Sequence, residues 1–105
     1  MTTVIQHRQR QAAELAGTYV YIGRPSKWGN PFTMRDHSGY ERARVVQSFR
    51  KYWYAVEQTQ LRAAAIVELS NKVLGCFCSP LMCHGDVIAT YVNGWHALPA
   101  SMDDV

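Results

Sequence analysis

Three cysteines, a histidine and an aspartate crowd into the stretch CFCSPLMCHGD, residues 76 to 86 of a chain of 105. Cys76, Cys78, Cys83 and His84 are soft or borderline ligands, so a zinc site is one chemistry to weigh. The spacing is against it, because structural zinc is usually held by C-x₂-C-like pairs from two separate knuckles. Here the pairs are C-x-C and an adjacent Cys-His. A second chemistry is nucleophilic. Cys83 falls near the start of a predicted helix, where unpaired amides and the helix dipole lower a thiol from its ordinary ~8.5. His84 could act as its base. In a third reading Cys76 and Cys78 are small buried apolar side chains. Gly85 then lets backbone approach a ligand, and the amides around residues 84–87 bind an anion. Asp86 would take a sugar hydroxyl, although its charge would repel a phosphate set too close. This third reading is carried forward, with Cys83, His84 and Asp86 as the catalytic candidates should the site perform a transfer or hydrolysis.

A second stretch, GRPSKWGNPF at 23 to 32, has almost no capacity for regular structure. Pro25 and Pro31 fix φ and stiffen it, while Gly23 and Gly29 admit close approaches that a β-carbon forbids. On that frame Arg24 and Lys27 could hold a phosphate or carboxylate, the first as a planar fork and the second as a point charge. Trp28 offers a flat face to a base, or else plugs the core. Asn30 could read a base edge or sugar hydroxyl, and Ser26 completes the candidate ligand-binding set. No P-loop or dinucleotide fingerprint is present.

These residues have to be positioned by the elements around them. TTVIQH reads as a short edge strand, QAAELAGT as a helical turn, and TYVYIG as the clearest strand. From HSGY onward the period becomes helical, with Val45, Val46, Phe49, Trp53 and Val56 on one face and Arg42, Arg50, Lys51 and Glu57 on the wet side. A second helix is predicted from about Leu61 to Ser70, followed by a strand in NKVLGCFC that carries Cys76 and Cys78 on one face. A last helix presents Val87, Ile88, Tyr91, Val92 and Trp95, with Asn93-Gly94 as its stop. Strands interleaved with helices predict a small α/β sheet of about three strands, Rossmann-like in character. If the TYVYIG and KVLGCFC strands run parallel through a right-handed crossover, both odd loops leave the same sheet edge. Ligands of open α/β sheets bind there.

Length allows one domain, with its motif-bearing part at about 19–94 and a tail, 97–105, expected to fray. At 48% apolar and 18% charged, a core is feasible without disulfides. Net charge is +3, which favours an anionic small molecule as partner. The cations are spread along the chain, which argues against duplex DNA. Single-stranded nucleic acid remains open through Arg24, Lys27 and Trp28. No apolar run suits a signal peptide or a membrane span, and three clustered cysteines fit reduced thiols, so a cytoplasmic protein is expected. Tyr52, Trp53 and Tyr54 in a row leave at least one aromatic facing away from the core, as a pocket wall or a homodimer contact.

VYIGRPSKWGNPF and LGCFCSPLMCHGDVIA together resemble an uncharacterised family of phage and bacterial domains. Its pattern holds a G-R-P-S-K-W-G-N-P-F block and a C-x-C-x-P-x-x-C-H-G-D block. The resemblance spans about residues 19 to 94 and implies a compact phage or bacterial cytoplasmic domain, without bringing an activity. Function therefore rests on the site. The expectation is a nucleotide-like or other phosphorylated ligand held between the two loops, bound for processing or sequestration and with no cofactor favoured. The alternative is a zinc-stabilised interaction module with a protein or nucleic-acid partner, built on Cys76, Cys78, Cys83 and His84.

Overall fold

β-Branched and aromatic residues form three short strands: β1 (Thr3–Gln6), β2 (Tyr19–Tyr21) and β3 (Val73–Cys76). In the computed structural model, which describes residues 1–79 and 81–94, they make one sheet in the order β1-β3-β2. Both pairings are parallel, and Ile5 and Tyr21 each sit opposite Gly75. The central strand is the most buried, with Leu74, Gly75 and Cys76 all inside, as expected of a parallel strand flanked on both sides. The α/β class, the element order and the parallel β2–β3 pairing agree with the sequence expectation.

Four helices follow the predicted positions: α1 (Gln11–Leu15), α2 (Gly39–Tyr54), α3 (Thr59–Glu68) and α4 (His84–Val92). Helix α2 buries Val45, Phe49 and Trp53 at four-residue steps, the stripe an amphipathic helix presents to a core. Helix α4 answers with Ile88, Ala89 and Val92. The tryptophan stacks on Phe49, ring centres 5.9 Å apart, within a cluster that also holds Ile22, Trp28, Leu69 and Leu74. Its neighbours in the aromatic run pack at the flanks, Tyr52 against Phe49 and Phe32 and Tyr54 against Tyr91.

Three expectations are corrected. Val56 was assigned to the apolar face of α2 but is 79% exposed. The helix stops at Tyr54, Ala55 turns extended, and a 3₁₀ turn carries Val56 outward. Arg62 then caps the freed carbonyls, donating to the Trp53 and Ala55 oxygens at 2.6 and 2.8 Å. Strand β3 ends at Cys76 rather than running on to Cys78. Asp86 lies outside the pocket expected of it, for the reason given with the site below. Trp95 and the tail at 97–105 lie outside the described residues.

Polar groups close the fold at places the pattern did not mark. Thr2 is buried, and its hydroxyl donates to the Leu69 carbonyl at 2.7 Å. Asn93 receives the Thr2 amide and donates back to its carbonyl, both at 2.8 Å. The start of β1 is thus clasped to the ends of α3 and α4.

Glu41 does the same for α2. Its carboxylate is buried, and it accepts from the Arg35 amide, from Arg35's guanidinium and from Arg44 Nε and Nη2. The hydrogen bonds from Arg44 and Arg35 hold its pKa far below the ordinary 4.5. A carboxylate depressed on folding contributes stability that is complete above its unfolded value and fades as pH falls below it. The urea midpoint should therefore drop as buffer goes from about pH 6 to about pH 3. Glu41→Gln should be less stable at the higher pH and show a shallower decline. An unchanged pH slope in Glu41→Gln would remove Glu41 from the account.

Candidate functional site

Because β2 and β3 are parallel neighbours, the loops leaving them open at one edge of the sheet, as expected. A cleft of about 380 Å³ lies there. The end of β2 and its loop supply Tyr21, Gly23, Arg24 and Asn30, and the loop continues through Phe32 and Met34. Helix α2 adds Arg42, Val45 and Val46. The opposite wall is the end of β3, with Cys76, Phe77 and Cys78, and the approach to α4, with Met82, Cys83 and His84.

The loop is shaped to present Arg24. A β-carbon on Gly29 would sit 2.9 Å from Arg24 Cγ and 3.1 Å from its Cα, so glycine lets the chain close over the arginine. The Tyr21 hydroxyl donates to the Arg24 carbonyl at 3.1 Å, and the Arg24–Pro25 peptide is cis. Asn30 is tied into the structure: its amide donates to the Val45 carbonyl at 3.3 Å and its oxygen accepts from the Phe32 amide at 2.9 Å. It docks the loop on α2, leaving one N–H and one lone pair of the amide for the cleft that it lines.

The other loop residues point elsewhere. Trp28 is only 4% exposed and belongs to the core cluster, which corrects its expected role as a stacking platform. Lys27 lies against the outer face of that ring, 4.9 Å from its centre, and pairs with Glu68 at 2.7 Å. Its charge is turned toward α3 and away from the cleft. Ser26 holds the turn through backbone bonds to Gly23 and Gly29. Of Arg24, Lys27 and Trp28, the three residues on which a single-strand reading rests, only Arg24 reaches the cleft.

Arg42 is the residue the sequence reading missed, having been placed on the wet side of α2. Arg42, Val45 and Val46 are spaced i, i+3, i+4 and therefore share a face. That signal was available. Among the described residues neither Arg24 nor Arg42 forms an ion pair, whereas Arg10, Lys27, Arg35 and Arg44 all do. Arg42 has a long contact to the Met82 carbonyl at 3.5 Å. Facing these cations, Phe77 is 66% and Met82 50% exposed, and Phe77 meets the Tyr21 ring edge-on at 5.9 Å.

At the start of α4 two of the amides expected to bind an anion are already used. Gly85 N–H donates to Cys83 Sγ at 3.3 Å, and Asp86 N–H to the Cys83 carbonyl at 3.0 Å. Asp86 in turn accepts from the Cys83 amide at 3.0 Å, a reciprocal cap of the kind that closes helix starts. Gly85 is buried against Ile22 and Val4. Asp86 faces a separate hollow of about 290 Å³ beside Arg50 and Thr90. Cys83, His84 and Asp86 therefore do not converge as a catalytic set on the cleft.

His84 is buried, and its Nε2 donates to the Ile22 carbonyl at 2.8 Å. Burial lowers its pKa, the positive charge of Arg24 adding to the effect. The ring is thus neutral near pH 7, with Nδ1 as its acceptor. Beside it Cys76 Sγ and Cys83 Sγ are 3.2 Å apart, each residue 2% exposed. With the Cys83 thiol as donor to the Cys76 sulfur, and amides of Ser79 and Cys78 adding to the bond, the Cys76 thiol is lowered from its ordinary value. Cys83 moves upward, because its proton is held between two sulfurs in a buried place.

The zinc set does not assemble. His84 has turned its Nε2 onto backbone, and no three His, Cys, Asp or Glu side chains group for a metal ion among the described residues. No described helix is long and apolar enough to cross a membrane.

Comparison with known proteins gives two matches. Residues 5–94 fit the profile of a domain of unknown function, DUF4326. The chain is also 35% identical over 75 residues to a protein of Enterobacteria phage T4, described as an uncharacterized 12.4 kDa protein in the nrdA-td intergenic region. That alignment covers 70% of this chain and 67% of the phage protein. No solved structure matches. The chain belongs to the DUF4326 family.

Proposed function

We propose that this DUF4326 protein binds a small anionic molecule carrying a flat ring, nucleotide-like in character, in the cleft beyond β2 and β3. One observation carries the reading: Arg24 and Arg42 open onto the same cleft without carboxylate partners among the described residues. Guanidinium groups left unpaired beside a concave surface suit a phosphate or carboxylate, which they can grip with two parallel bonds. The cleft volume lies in the range of small-molecule sites. Its wall of Tyr21, Phe32, Phe77 and Met82 suits a ring.

Electrostatics orients the ligand. The Cys76 thiol, shifted toward ionisation by its hydrogen bonds, lies in the cleft wall and is a poor neighbour for an anionic group. The anionic group then belongs with the guanidiniums and the uncharged part of the ligand nearer the sulfurs, where His84 Nδ1 can accept from a hydroxyl. Binding is the activity this arrangement supports, since Asp86 is diverted to capping α4. The zinc-stabilised module is not carried further, because His84 Nε2 is held by the Ile22 carbonyl and no three ligands group among the described residues.

Calorimetric titration with adenosine 5′-monophosphate, adenosine and inorganic phosphate tests the reading. The mononucleotide should bind more tightly than either fragment, because it alone engages the cations and the aromatic wall together. Equal affinity for adenosine and its monophosphate would remove the cationic role. An absence of heat from all three at millimolar concentration would overturn the nucleotide-like assignment.

A further inference from the structure

Ligand binding leaves the redox chemistry of the two sulfurs at the cleft unused. Cys76 ends β3 and Cys83 caps α4, so two separate elements bring thiols to 3.2 Å. A disulfide needs about 2.05 Å between sulfurs, a further approach of about 1 Å. Both side chains line the cleft yet are nearly closed to bulk solvent. A reagent that reaches them through the cleft has to be small. Cys78 lines the same cleft, half-buried, and meets Cys76 Sγ through its backbone amide.

We propose that Cys76 and Cys83 form a reversible oxidation site, in which Cys76 attacks hydrogen peroxide and Cys83 resolves the product as an internal disulfide. The assignment of roles follows from the hydrogen bonds. Cys76 Sγ accepts hydrogen bonds from the Cys83 thiol and from the amides of Ser79 and Cys78, against the single Gly85 amide at Cys83 Sγ, which favours the thiolate, the nucleophilic form, at Cys76. In the first step a sulfur lone pair of Cys76 attacks one peroxide oxygen and the O–O bond breaks. Hydroxide leaves and takes a proton to become water, giving the Cys76 sulfenic acid. In the second step the Cys83 sulfur attacks Cys76 Sγ, the S–O bond breaks, and the oxygen departs as water with the proton Cys83 gives up. Two thiols and one peroxide become one disulfide and two waters. An external dithiol reverses the change by exchange.

The disulfide ties the end of β3 to the start of α4. The inference does not rest on the binding reading, since it needs no ligand. The test uses the reduced full-length protein treated with hydrogen peroxide, then denatured with N-ethylmaleimide and mapped by peptide mass spectrometry. The expected product is a chain lighter by two hydrogens, with Cys76 linked to Cys83 and Cys78 alkylated. Dithiothreitol should restore three alkylatable cysteines. Cys83→Ser should stop at a Cys76 sulfenic acid trapped by dimedone. Cys76→Ser should slow oxidation by about tenfold or more, since the thiolate is the reacting form. A link through Cys78, a disulfide between chains, or three intact thiols after treatment would each overturn the proposal. The wild-type map decides even if a serine variant fails to fold.

Discussion

Trp28→Ala is expected to destabilise the protein by about 3–5 kcal/mol, the usual range for deleting a buried aromatic side chain. Domains of this kind have about 5–15 kcal/mol in total, so the variant should lie near the edge of folding. Trp28 is 4% exposed and clusters with Ile22, Phe49 and Leu69. Truncation would leave a void bounded by β2, α2 and the end of α3, with little freedom to collapse, because prolines stiffen the loop that carries the ring. A chemical denaturation curve followed by circular dichroism gives the answer, and Trp28→Phe should recover most of the loss by refilling the site. A Trp28→Ala variant that unfolds at the wild-type midpoint, yet no longer binds a mononucleotide, would return the ring to the surface as a stacking platform.

That outcome separates what periodicity can tell from what it cannot. The helical stripe of Val45, Phe49 and Trp53 and the β-branched runs of β2 and β3 were legible because each repeats at the period of its own element. From them came the element order, the parallel pairing and the meeting of two loops at one edge. Within GRPSKWGNPF no period exists, so residue type alone had to say which way a side chain turns. Trp28 went inward because the core beneath β2 had room for it, and Lys27 followed Glu68, its partner 41 positions away. The start of α4 was more readable than it was made to be: Cys83 with Asp86 three residues on is the spacing of a reciprocal helix cap. The thiol pair was not readable, because its distance depends on where a strand end and a helix start meet in space.

Arg24→Ala and Arg42→Ala should each weaken mononucleotide binding by about 10- to 100-fold, corresponding to a charged hydrogen bond of about 1.5–3 kcal/mol. Both side chains line the cleft, and neither is ion-paired among the described residues, so their removal strands no carboxylate in this region and the fold should hold. Lys27→Ala is the control from the same loop. Its ammonium is half-exposed and committed to Glu68, a surface pair worth at most about 1 kcal/mol, and binding should stay within about twofold. Calorimetry with adenosine 5′-monophosphate on the three variants separates the possibilities. If Lys27→Ala loses as much affinity as Arg24→Ala, the ligand sits on the outer face of the loop and the cleft is the wrong site. If only the arginine variants lose affinity, the double variant carries the finer information. A loss smaller than the sum of the singles means that both guanidiniums hold one anionic group, because the first deletion has already released what the second would free. Additive losses put them on two separated charges, which a monophosphate does not carry, and the ligand class would move to molecules with an anionic group at each end.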